Sequence, residues 1–486
     1  MNRFHRVAPA LAVTAVAAGF TVAGASPAKA EPPGAAFPDP GIEGFEFPRD
    51  ATTLDDWVYN QKMDRIYKHA WGIWAGLTTP VNQTDSPVVA SHGIDNPPVY
   101  LTWFAPSKIA EKLKKGEELG APPGEELHLH HPRQFAHGGK TPTKAKDAAK
   151  SDLMTHKIVT VNYSPAAARA SFNNKLFLKS TWNKLAKRQY AEMPNFPYDA
   201  ITIKPVYKIV REGSTAKQNK LPVWPGPPKP AKQFKQKDWG TCVYVKPGKS
   251  DNSSGRRSVD DDCSDGPKTA TTFGTDSFVG FQLKDHHAVK MDKTLLHGGE
   301  GRKLKAGDHL ILVGMHVGTR ERKRWTWQSF WWTPTPGADP HKPSSKAIQA
   351  AKPGNKLHGA AKNYNMTTAY SMLTPPQPFN GGKNTGNLNI GFNPYLEAGF
   401  GKKTIKNVRP VKQADGSTVK AQYGVQSNCM TCHALASRSR NGDKPGYAAD
   451  FYLPQDDNIF DGHVKADFAW SVVGNLVKKA DDDTAD

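Results

Sequence analysis

The chain has 486 residues, and 65 Lys or Arg against 45 Asp or Glu give it a formal charge of +20. Apolar residues make up 37% and aromatics 10%, with 12 Trp, which excludes a disordered tail; 42 Gly and 39 Pro imply long connections between elements. At roughly 150 residues per domain, the length allows two or three domains, or one large body with an appendage.

Residues 1–30 read as an export signal. Arg3 and Arg6 make a basic start, Val7 to Ala25 carries no charge, and Ala28-Lys29-Ala30 is a small-x-small cleavage pattern. An uncleaved anchor is the alternative, since the uncharged run is long enough to span a bilayer. There is no twin-Arg pair and no Cys at the cut, so the general secretory route into the periplasm is expected, without a lipid anchor. Nothing after residue 30 is apolar for long enough to cross a membrane, so a soluble mature protein is expected.

Residues 31–150 form an N-terminal helical and loop region. After a Pro/Gly-rich lead, Thr52-Thr53 with Asp55-Asp56 starts a helix on which Met63, Ile66, Tyr67, Ala70, Trp71 and Trp74 recur at helical spacing. His69 lies beside this stripe, as a packing histidine or a cofactor contact. Residues 98–104 predict a strand, and residues 107–118 a Lys-rich amphipathic helix. His128, His130, His131 and His137 then cluster in a Gly/Pro/Lys loop, open to copper or zinc or simply to solvent.

Residues 151–335 are β-rich. Strands are expected at Lys157 to Tyr163, Ile201 to Val210, Thr241 to Val245, Ser277 to Leu283 and Leu310 to Val317. Lys220 to Pro230 is too Pro-rich for a helix. Trp325 to Trp332 reads as the second half of a hairpin with 310–317, placing Trp325, Trp327 and Trp331 on one face, as core or as the wall of a pocket. In an oxidising compartment Cys242 and Cys263 are expected to form a structural disulfide. Residues 336–389 form a Gly/Pro-rich connecting segment, with a short helix near 360–372.

The last region, 390–486, ends in an acidic tail and carries the other two cysteines. They stand in Cys429-Met430-Thr431-Cys432-His433, a Cys-x-x-Cys-His motif. Two thiols at this spacing can form thioethers to the two vinyl groups of one porphyrin, and the next imidazole reaches the iron. A zinc site needs a second Cys/His pair at similar spacing, which is missing, and a thiol redox pair does not need the histidine.

The pentapeptide resembles the haem-attachment motif of c-type cytochromes. More weakly, Lys465 to Val477 resembles the closing helix that such domains pack against haem. The resemblance is local and says nothing of the first 350 residues. It implies one covalently bound haem c, held by Cys429 and Cys432, with His433 as the proximal metal ligand, and a role in electron transfer. The fold class expected with it is α+β: a large β-rich region with flanking helices, followed by a small, mostly helical haem region.

Small cytochromes of this family usually take their sixth iron ligand from a downstream Met, and this chain has no Met after Met430. The open choices are Met315 or His316, on opposite faces of one strand, Met366, Met372, His463, or no protein ligand at all. The function expected is therefore an exported monohaem cytochrome. The alternative is a haem c-dependent oxidoreductase, peroxidase-like or oxidising a small molecule, and a third reading makes the β-rich part a binding module with a redox output. Nucleotide, zinc-protease and serine-hydrolase motifs are missing. The basic surplus, spread over Pro/Gly loops, favours an acidic redox partner over nucleic acid.

Overall fold

The computed structural model describes residues 34–81, 96–120, 157–188, 191–250, 258–285, 304–337, 340–405, 408–441 and 452–479. The expected export signal, the histidine cluster at 128–137 and the acidic tail lie outside them. The architecture is mixed α and β, with a large antiparallel sheet and few long helices.

The expected first helix is two. Helix α1 (Ala51–Tyr59) is capped by the Asp50 carboxylate, which accepts from the Thr53 backbone N–H, and α2 (Met63–Thr78) follows after Gln61 turns the chain at φ 50°. Helix α3 (Pro106–Lys115) starts on a proline and ends at Gly116. The expected strand at 98–104 is instead a 3-10 turn, Val99–Thr102. Thr102 is placed to close it, its hydroxyl donating back to the Val99 carbonyl at 2.7 Å, and an unbroken apolar run carries no alternation to hold a strand.

Five strands make the spine of the sheet. In order across it they are β1 (Lys157–Val159), β3 (Ile201–Val210), β8 (His309–Thr319), β9 (Thr326–Trp332) and β10 (Tyr364–Thr368). The short β2 (Asn162–Tyr163) pairs with β3, and β7 (Gly280–Gln282) with β8. Pro205 is tolerated inside β3 because it lies where β1 gives way to β2 and beside a register shift at Val206/Tyr207. Strands β8 and β9 form the expected hairpin. Strand β10 replaces the helix expected near 360–372: after a 3-10 turn at Gly359–Asn363, Tyr364 to Thr368 pairs with β9, which would otherwise expose an edge. A separate three-stranded sheet joins β4 (Lys220–Pro222), β5 (Cys242–Lys246) and β6 (Thr272–Gly274). The expected disulfide between Cys242 and Cys263 is formed at the start of β5.

The sheet buries both faces. On one face, α2 stacks Trp74 on Phe330 of β9 with ring centroids 4.5 Å apart, and Tyr364, Met315 and Met366 join the same core. On the other face a second core gathers Trp325, Trp327, Tyr163, Phe196, and Met430, Ala434 and Leu435 from in and just after the Cys-x-x-Cys-His motif. His69 is a packing histidine: its ring meets the Tyr370 hydroxyl at 2.7 Å and the Glu321 carboxylate at 3.1 Å, all of them buried.

The region after residue 390 is not the small helical body expected. Its helices are short: Pro394–Glu397, Cys429–Ala434 and Trp470–Gly474, of four, six and five residues, with two-residue and three-residue strand pairs between them. The closing helix expected at 465–477 shrinks to Trp470–Gly474, because Asp467 and Phe468 turn the chain at φ 41° and 64° just before it. Pro32 to Asp486 form one compact unit.

Candidate haem-attachment cleft

The helix Cys429–Ala434 is one and a half turns long, and that length arranges the motif. Positions i, i+3 and i+4 share a helical face, so Cys429, Cys432 and His433 look one way while Met430, Thr431 and Ala434 are buried on the other. Asn428 caps the helix through its side-chain oxygen, which accepts from the Thr431 N–H at 3.1 Å. Its amide nitrogen donates to the carbonyls of Ser371 (3.1 Å) and Asn389 (2.6 Å), fixing the helix start to the chain at 371–391. The Cys429 thiol donates to the Gly391 carbonyl at 3.1 Å, and burial pushes its pKa well up.

The three motif residues open on one cleft. Its other walls come from far along the chain. Thr202 and Lys204 of β3, His316 of β8 and Trp327 of β9 form the sheet side; Glu397, Phe400, Trp470 and Ser471 complete it. Trp470 is held by its indole N–H, which donates to the Cys432 carbonyl at 2.8 Å.

The His433 ring is fixed through one nitrogen. Its Nδ1 lies 2.8 Å from the Phe468 carbonyl, which can only accept, so that nitrogen carries the proton and Nε2 is left with its lone pair. Trp327 packs against the ring at a centroid distance of 3.9 Å. Burial lowers the imidazole pKa to about 3, against the opposing effect of the Phe468 hydrogen bond, so the ring is neutral in ordinary buffers.

The sixth-ligand candidates separate cleanly. Of Met315, His316, Met366, Met372 and His463, only His316 lines the cleft. Met315 and Met366 sit opposite Phe330 on the α2 face of the sheet. The Met372 sulfur accepts from the Leu453 N–H at 3.3 Å, and the Nδ1 of His463 meets the Asp461 carbonyl at 3.0 Å.

His316 is itself oriented. Its Nε2 lies 2.7 Å from Glu397 Oε1, and the second carboxylate oxygen accepts from the Asn393 N–H at 2.7 Å, so both oxygens of Glu397 are occupied. Two glycines make this possible. A Cβ at Gly314 would stand 2.9 Å from the Asn393 amide, and one at Gly424 would stand 1.6 Å from the Glu397 carbonyl oxygen. The Nδ1 of His316 is buried with no partner. Lys204 pairs with His316 in the β3–β8 register, so the two side chains leave the sheet together. Burial lowers the Lys204 ammonium to about 8.

Sequence reasoning missed Lys204, Glu397 and the Phe468 carbonyl. A lysine on the Thr202 face of an apolar strand was the one available signal for Lys204. Among the described residues, no group of three or more His, Cys, Asp or Glu could hold a bare metal ion, and no helix is long and apolar enough to cross a membrane. Compared with protein-family models, with curated proteins and with solved structures, the chain matches none of them.

Proposed function

We propose that this chain is an exported, periplasmic monohaem c-type cytochrome that carries out one-electron transfer. The observation that carries the reading is the convergence of Cys429, Cys432 and His433 on one cleft, with the His433 Nδ1–H held by Phe468. The residues fit the group: two thiols on one helical face and a neutral imidazole whose Nε2 is left to coordinate, all three lining one cleft. Cys429 and Cys432 would hold the porphyrin and His433 the iron. When bound, haem supplies an Fe(III)/Fe(II) couple. The chain's own contribution is to orient His433, to exclude water with Trp327, Phe400 and Trp470, and to present a basic surface to an acidic redox partner.

The test is an alkaline-pyridine haem assay on matured protein, with denaturing electrophoresis stained for haem. One haem per chain that survives denaturation is expected, and none in a C429A/C432A variant. A colourless wild-type chain whose two thiols both alkylate would overturn the reading.

A second reading, a haem c-dependent oxidoreductase with an exchangeable sixth position, is favoured by Lys204, His316 and Glu397 in the same cleft. High-spin haem that takes up CO or cyanide supports it, and a low-spin spectrum indifferent to both removes it.

A further inference from the structure

The turn between β8 and β9 reads Arg320-Glu321-Arg322-Lys323-Arg324, and all but Lys323 are buried. Three of the buried residues have a partner of opposite type: Arg320 pairs with Asp467 at 3.1 Å, Glu321 meets His69 at 3.1 Å, and Arg322 donates to Asp55 at 2.6 Å. Arg324 has none. Among the described residues, no carboxylate lies within ion-pair distance of its guanidinium. Its hydrogen bonds go to neutral acceptors: Nη1 to the Leu453 carbonyl (3.0 Å) and the Met372 sulfur (4.0 Å), Nη2 to the carbonyls of Pro378 and Phe379 (both 2.8 Å) and the Tyr452 hydroxyl (3.5 Å). Nε takes no part in them. The rings of Phe379 and Tyr452, 5.1 and 5.2 Å from the guanidinium carbon, solvate the charge without cancelling it. A buried charge is costly unless it is paired, and burial pushes this guanidinium down to about 10, which still leaves it charged at neutral pH.

Arg324 lines a cavity of about 170 Å³ that is separate from the haem cleft. Arg322 and Lys323 line it too, and Asp55, already held by Arg322, is the one carboxylate in its wall among the described residues. Lys323 and Arg324 both stand over the Phe379 ring, which with Val58, Met372 and Pro376 makes an apolar side. Tyr59 and Tyr198, each more than half exposed, leave the cavity open to solvent. Met430 also lines it, so it lies behind the helix Cys429–Ala434, on the face turned away from the cleft.

We propose that this cavity binds a small, single-ring organic monocarboxylate, with its charge toward Arg324 and Lys323 and its ring against Phe379 and Met372. The size is set by the cavity, since a void of roughly 150 Å³ takes a benzene-sized molecule. The charge is set by the one guanidinium that no carboxylate answers; a dianion would bring its second charge against Asp55. The inference goes beyond the proposed function and does not depend on it.

The test is calorimetric titration of sodium benzoate into the matured full-length protein. Saturable 1:1 binding is expected. Benzamide, uncharged and of the same shape, and inorganic phosphate, which has no ring, should each bind at least about tenfold more weakly, the worth of one charge-assisted contact. R324Q removes the charge but also loosens the three carbonyls it ties, so K323E is measured beside it. Lys323 is exposed, and reversing its charge should leave the melting temperature close to wild type while weakening benzoate at least about tenfold. The proposal is overturned by a protein that ignores benzoate, by one that binds benzamide or phosphate as tightly, or by a folded K323E or R324Q protein that binds benzoate as wild type does. A colourless chain that still binds benzoate would remove the haem reading and leave this one standing.

Discussion

The Nδ1–H of His433 donates to the carbonyl of Phe468 across 35 residues of chain, at 2.8 Å. That carbonyl is aimed by a backbone that neither residue type prefers: Asp467 and Phe468 both have positive φ, at 41° and 64°. What holds the turn is the side chain of Asp467. It pairs with Arg320 at 3.1 Å and accepts from the Phe196 N–H at 2.9 Å, with both charged side chains almost fully buried.

The first prediction follows from that pair. D467N leaves the Arg320 charge buried without a counterion and should lower stability by about 3–5 kcal/mol in urea unfolding. Burial raises the Asp467 carboxyl above its usual range. The folded chain thus keeps a proton that the unfolded chain releases, and this group makes stability fall as pH rises from about 3.9 through the raised value. The D467N protein should lack that component of the pH profile.

Glu397 gives a second. E397A removes the acceptor of both the His316 ring and the Asn393 N–H, and should cost about 1–3 kcal/mol by chemical denaturation. E397Q keeps an acceptor for one of them and should recover part of the loss.

Gly424 gives a third. An alanine Cβ would meet the Glu397 carbonyl oxygen at 1.6 Å, and a backbone atom cannot swing aside as a side chain would. G424A should destabilise by about 1–3 kcal/mol or more, and because the strain falls on the short helix that carries Glu397, the ferric haem spectrum should change with it. An unaltered melting temperature would contradict the close packing.

The disulfide gives the fourth. Cys242 and Cys263 are 21 residues apart, and closing a loop of that length is worth about 3 kcal/mol by chain entropy. C242S/C263S should lose that much stability without changing haem per chain, since neither residue touches the cleft.

Much of this was readable in advance where the information is local. The alternation of Leu310 to Val317 put Met315 and His316 on opposite faces, and the sheet does so. The motif spacing put both thiols and the imidazole on one turn. Which face of β8 would meet that turn was not readable, because it depends on residues 390–471 folding back over β3 and β9, contacts between segments far apart in the chain. Lys204 was hidden for the same reason: a lysine in a strand reads as solvent-facing until something covers it. The short helices after residue 390 were misread because the family resemblance rests on five residues, too few to carry a fold, and because Asp467 and Phe468 take a backbone conformation that their residue types do not advertise.

The composite origin of the cleft bears on how the protein is made. Its walls are drawn from β3, β8, β9 and the chain after 397, so the cleft exists only once segments far apart in the chain have docked. On the proposed function, a cofactor held there would become a part around which the core condenses.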